Sequence, residues 1–280
     1  MGGTRARRPR RCGRAHGPAT VLGLVALFAL ASCGATSAAG TPVGRAGART
    51  PKSPVTVHLF GDSLSYEVEA VLREQLGPSY DLRVSAFGGV APCDMRPQIE
   101  DTLEKDSVDL VLAQFSGNAR TPCMRADGAT SEAAWRARYR ADTSAIVDRS
   151  RTTGVPLLLV GSPPMPLDRM AATTPDPDYQ ELAAEAAREG APVTFLDAGA
   201  AVSALGGAWA ASLPCLPFEG AEMGCAGGEI AVRSPDGVHF CPGAFGALDG
   251  TVPTCPAWSS GAWRYASAIT HEVRQRAAAP

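Results

Sequence analysis

Three side chains in this sequence could carry nucleophilic chemistry if the fold brought them together. Ser63 stands in Gly61-Asp62-Ser63-Leu64, where the apolar alternation Val55, Val57, Leu59 stops and a helix-patterned segment begins. Asp236 and His239 stand far downstream, in Pro235-Asp236-Gly237-Val238-His239. A serine hydroxyl is a poor nucleophile until a base takes its proton, and an imidazole base needs a carboxylate to fix its tautomer and support its charge. The chain order Ser, Asp, His is one of several in which such triads occur. Acyl transfer also needs donors aimed at an oxyanion. The backbone amide of Ser63, the amide of a glycine in the Gly88-Gly89 turn, and the side-chain amide of Asn118 are the candidates. Each residue also has an ordinary reading, because Gly-Asp-Ser suits a helix start and Asp-Gly suits a turn. Of the other histidines, His16 lies in the leader, His58 within the first strand and His271 on the last helix, which leaves His239 as the candidate base.

The elements that must position these groups alternate along the chain. Leu64, Val68, Val71, Leu72 and Leu76 fall at helical spacing, and Gly77-Pro78 stops the helix. Strand-like runs follow at Leu82–Phe87, Val108–Phe115, Val155–Val160 and Val193–Leu196. Helices are expected over Pro97–Lys105, from Thr130 or Ser131 to about Arg149, over Asp178–Glu189, and over about Ser259–Arg276. Continuously apolar strands alternating with helices argue an α/β fold, a doubly wound parallel sheet of about five strands. In such a sheet ligands bind outside the carboxyl ends of the strands, where Ser63, the Gly88-Gly89 turn and Asn118 all fall. The stretch Gly206–Cys255 is rich in Gly, Pro and Cys and reads as one long, disulfide-pinned loop region.

The first residues belong to export rather than to the fold. Six arginines between Arg5 and Arg14 precede the apolar run Val21–Ala31, which has the shape of a secretory signal. The run ends in Leu30-Ala31-Ser32-Cys33, which resembles a bacterial lipobox with Cys33 as the lipidated new N-terminus; the alternative is a simple signal peptide cleaved nearby. The expected organisation is a signal peptide over 1–32, a flexible tether over 33–54 and one catalytic domain over 55–280. The protein would then be exported and held at the cell membrane through Cys33, or secreted. Removing the leader takes six of the 26 basic residues and none of the 28 acidic ones, moving the net charge from −2 to −8. A basic patch for nucleic acid is therefore not indicated. Six cysteines remain in the domain, and without any Cys-x-x-Cys they read as three disulfides rather than a metal site. Nearest-neighbour pairing would join Cys93 to Cys123, Cys215 to Cys225 and Cys241 to Cys255.

Taken together, Gly61-Asp62-Ser63-Leu64, the glycine after the second strand, Gly117-Asn118 after the third and Asp236-x-x-His239 near the end resemble the SGNH, or GDSL-type, hydrolase family. The four blocks stand in family order and span nearly all of the domain. The resemblance implies a flavodoxin-like three-layer αβα sandwich and hydrolysis of acyl esters of carbohydrates or lipids, with no metal or other cofactor. It implies Ser63 as nucleophile, Asp236 as orienting acid, His239 as base, and Ser63, Gly89 and Asn118 as oxyanion donors. The inserted Cys241–Cys255 stretch departs from the pattern, in which Asp-x-x-His leads almost directly into the last helix, and leaves the substrate open. An O-acyltransferase acting on envelope polysaccharide with the same residues, and an inactive binding lipoprotein, are the alternatives. The lipase elbow Gly-x-Ser-x-Gly is absent, which argues against an α/β-hydrolase.

Overall fold

A computed structural model describes residues 54–105, 108–128, 130–166, 175–242 and 255–278. The expected signal peptide, Cys33 and nearly all of the tether lie outside these residues. Five parallel strands form the sheet: β1 (Val55–Gly61), β2 (Tyr80–Ala86), β3 (Leu110–Gln114), β4 (Leu157–Val160) and β5 (Val193–Leu196), in the spatial order β2-β1-β3-β4-β5. The helices between them are α1 (Ser63–Leu76), α2 (Pro92–Glu104), the short α3 (Pro122–Arg125), α4 (Glu132–Thr153) and α5 (Asp176–Arg188), and α6 (Ser260–Ala278) closes the chain. The order reverses direction at β1, which lies between β2 and β3, so the crossover helices divide between the two faces.

Strand side chains alternate between two cores because successive residues point to opposite faces. Val57 and Leu59 of β1, Leu110 and Leu112 of β3, and Leu158 and Val160 of β4 pack with Leu64, Val68 and Leu72 of α1 and Tyr265, Ile269 and Val273 of α6. Phe60, Val111, Ala113, Leu157 and Leu159 pack the other way, with Ile99 and Leu103 of α2, Tyr139 and Ile146 of α4, and Tyr179 and Leu182 of α5. These are the three layers of an αβα sandwich. No helix among the described residues is long and apolar enough to cross a membrane.

The sheet is in register at its carboxyl edge, where Gly61 pairs with Ala86 and Gln114, and Gln114 with Val160. The residues that follow each strand therefore emerge side by side. Gly61 makes the sharp exit possible: a Cβ there would fall 2.6 Å from the Gln114 carbonyl oxygen and still closer to Ser65 Oγ.

Two expectations differ from what the structure has. α2 begins at Pro92 rather than Pro97, because proline suits the first helical position and the Asp94 carboxylate, 2.8 Å away, accepts the Ala91 N–H. Cys93 is thus on the helix. Within Gly206–Cys255, the described residues 206–242 are also more ordered than a plain loop, with three-residue 3-10 turns at Leu205–Gly207 and Ala221–Met223 and an antiparallel ribbon of β6 (Ser212–Pro214) and β7 (Glu229–Ala231). Those strands are too short to leave a periodic signal in sequence.

Candidate active site

Asp62 caps α1 by accepting the Leu64 N–H at 3.1 Å, which leaves Ser63 as the first helical residue. At that position the Ser63 N–H has no intrahelical acceptor. Its hydroxyl meets the loop of the last third: Ser63 Oγ lies 2.9 Å from His239 Nε2, and His239 Nδ1 lies 2.6 Å from Asp236 Oδ2. The second Asp236 oxygen accepts the Ser234 hydroxyl, the Val238 N–H at 2.8 Å and the His239 N–H at 3.0 Å. Partial burial works against the Asp236 charge, but these hydrogen bonds outweigh it and hold the carboxyl well below its usual range. An ionised Asp236 fixes the imidazole with its Nδ1 proton toward the acid and its Nε2 lone pair toward the serine.

Asp62 does more than cap. It is fully buried, and its Oδ2 accepts both the N–H and the hydroxyl of Ser116, at 2.6 and 2.5 Å, and the Asn118 amide at 3.0 Å. Burial raises its pKa, and the Ser116 and Leu64 bonds pull it back. Asn118 also donates to the Val90 carbonyl at 3.1 Å. Both partners are acceptors, which fixes the orientation of the amide and engages both of its protons. Asn118 is therefore brought to the site as a brace between Asp62 and the loop after β2; to serve an oxyanion, one of its protons must be shared or redirected. Gly88 and Gly89 follow β2 at the same edge. Neither N–H has a partner among the described residues, and Gly89, at φ +79, holds a backbone conformation that favours glycine.

Sequence reasoning missed Glu67. It lies one turn after Ser63 on α1, is buried, and accepts the Phe240 N–H at 2.7 Å and the Cys241 N–H at 3.4 Å. Burial raises its pKa, while the Phe240 bond and His239 oppose the rise. This carboxylate ties the segment after His239 to the helix that carries Ser63. A charged residue on the buried stripe of α1, between Leu64 and Val68, was the available signal. His58, by contrast, stacks on Phe60, shares a hydrogen bond with Ser85 and is pushed down to about 4 by burial and then by Arg83. It is a packed strand residue.

Disulfides join Cys93 to Cys123, Cys215 to Cys225 and Cys241 to Cys255. The first links the start of α2, just past the Gly88-Gly89 turn, to α3, just past Asn118. Asp94 stands beside it, but two sulfurs joined to each other offer no thiolate for a metal. A hollow of about 910 Å³ lies at the opposite, amino-terminal sheet edge, among Val55, Leu110, Pro156 and Val193. It contains none of these site residues.

The sequence profile of the DUF459 family, described as a protein of unknown function, matches residues 56–246. The chain belongs to the DUF459 family. The SGNH, or GDSL-type, resemblance also holds in three dimensions, since all four of its sequence blocks stand at one sheet edge. No curated protein matches the sequence. Similar solved structures include a GDSL-like lipase from Bacteroides thetaiotaomicron VPI-5482, 11% identical, covering 79% of this chain and 86% of that one with a TM-score of 0.47. A carbohydrate acetylesterase from Sinorhizobium meliloti is 14% identical, covering 79% and 99% with a TM-score of 0.44. The C-terminal catalytic domain of Streptococcus pneumoniae peptidoglycan O-acetyltransferase A is 16% identical, covering 81% and 97%, also at 0.44.

Proposed function

We propose that this DUF459 member is a serine esterase that hydrolyses short O-acyl esters, acetyl among them, of a carbohydrate or lipid. One observation carries the reading: the unbroken chain Asp236–His239–Ser63, with contacts of 2.6 and 2.9 Å. His239 Nε2 takes the hydroxyl proton as Ser63 Oγ attacks the ester carbonyl, and Asp236 stabilises the imidazolium. The tetrahedral oxyanion is met by the free N–H of Ser63 at the positive end of α1, by the Gly89 N–H, and by Asn118 once it shares a proton. Collapse returns the proton from His239 to the leaving alcohol and leaves an acyl-Ser63. Water, deprotonated by His239, then releases the carboxylic acid and restores the serine.

Two measurements test the reading. Purified protein is expected to release acetate from a chromogenic acetyl ester and to be labelled at Ser63 by a fluorophosphonate. Unchanged turnover in Ser63→Ala, or no labelling, overturns it. With sugar acceptors present, transfer that outruns hydrolysis would instead assign an O-acyltransferase using the same acyl-enzyme. We further propose export and anchoring through a lipid on Cys33. Cys33→Ser should then release the protein from membranes, and unchanged membrane association would refute the anchor.

A further inference from the structure

Behind the triad loop lies a cavity of about 360 Å³ that the proposed chemistry does not use. Its wall includes Arg233, Phe240, Trp258, Met223 and Ile230, with Glu222 exposed at the rim. Two disulfides lie beside it in sequence: Met223 falls within the loop closed by Cys215–Cys225, and Trp258 follows the Cys241–Cys255 bond.

Arg233 is the anomaly. It is 95% buried, at 5% exposure, yet it has no carboxylate within ion-pair distance among the described residues. One terminal nitrogen donates to the Val202 carbonyl at 3.2 Å and the other weakly to the Val232 carbonyl at 3.4 Å; Nε is buried without any partner. The guanidinium also lies 5.3 Å from the centre of the Phe240 ring. Glu67 contributes to the surrounding field, but its two oxygens are taken by the Phe240 and Cys241 amides. Arg264, on α6 nearby, shows the ordinary solution: it binds Glu219 at 3.1 Å, the Pro214 carbonyl and Ser260. A guanidinium offers five N–H donors and is costly to bury unpaired, and burial here pushes Arg233 down to about 10. Arg233 lines the cavity, and its guanidinium keeps donors that no described residue meets.

We propose that this cavity is a binding site for a compact oxyanion, a carboxylate or phosphate, that pairs with Arg233 while the ring of the same ligand rests on Trp258. An acidic sugar has both features. The site stands on its own geometry and does not depend on the esterase reading.

Calorimetric titration of the purified chain with glucuronic acid, inorganic phosphate and glucose tests it without any turnover. Glucuronate or phosphate should bind saturably and glucose should not. Glucuronate alone would identify a carboxylated sugar, phosphate alone a phosphoryl group, and both the shared anion chemistry. Arg233→Gln should weaken binding about tenfold or more. Should that variant fail to fold, Ala257→Glu, which adds an exposed negative charge to the wall, should abolish binding with the melting temperature intact, and Glu222→Gln should tighten it. No saturable binding of either anion, equal binding of glucose, or affinity unchanged by Ala257→Glu overturns the proposal.

Discussion

The two halves of this candidate site are built by different means. From Val55 to Val202, site residues follow strands whose positions are set by a repeating ladder, so Ser63, Gly89 and Asn118 come together because parallel strands end level. Among the described residues from Ser203 to Ser259 there is little ladder beyond a three-residue ribbon. Asp236 and His239 are held there by discrete tethers: Ser234 on Asp236, Glu67 on the Phe240 and Cys241 amides, Trp209 Nε1 on the Gly237 carbonyl at 2.8 Å, and two disulfides. A ladder spreads its load over many weak, redundant bonds, whereas a tether concentrates it in one. The loop half should therefore be the more sensitive to single substitutions.

That contrast can be broken or sharpened by experiment. Asp236→Asn removes the charge that orients His239 and should lower kcat by about three to four orders of magnitude with little change in melting temperature. A loss within about tenfold would mean the loop holds the imidazole without it. On the ladder half, Asn118→Ala should cost about two to three orders of magnitude in kcat, read as steady-state turnover. Asp176 asks whether the ladder half has its own buried tether. It accepts the Ser162 N–H at the end of β4, and burial, with Asp197 adding, raises its carboxyl to about 7. Its folded pKa lies above its unfolded value, so the folded state keeps a proton that the unfolded chain has lost. The stability this gives is fully present at low pH and is lost as pH rises through about 7, roughly 2–3 kcal/mol between pH 5 and 8. Denaturant titrations across that range should show stability falling by about 2–3 kcal/mol more in the native protein than in Asp176→Asn, because the shifted His58, Asp62 and Glu67 contribute to both.

Smaller effects follow for the tethers between the halves. Glu67→Gln keeps one acceptor and removes the charge, so kcat should fall about tenfold with KM unchanged, alongside a stability loss of about 1–3 kcal/mol. A change in KM with kcat intact would place Glu67 against substrate instead. The disulfides give the finest test. Cys93–Cys123 closes a separation of 30 residues and Cys215–Cys225 one of 10, so removing the first should destabilise by about 1 kcal/mol more than removing the second. Urea denaturation of the two double-serine variants measures that difference.

Most of the sheet was legible because buried parallel strands are continuous apolar runs; β5 fell on Val193–Leu196, as its pattern predicts. Helix starts were less legible, since α2 begins where Pro92 and the Asp94 carboxylate cooperate, a signal outside apolar periodicity. The site residues could be named from their types and order. Asp62 could be read only as a cap, because its bonds to Ser116 and Asn118 span more than fifty positions.

The sequence by itself determined the parallel sheet, the serine at a strand end and the histidine available to act as its base, because periodicity and residue type are local properties. Only the tertiary structure decided which backbone Glu67 would hold, that both Asn118 protons are engaged, and that Arg233 has no carboxylate within ion-pair reach among the described residues. Those depend on which groups share a small desolvated volume, where an unmet donor or acceptor is expensive. No single stretch of chain encodes that proximity.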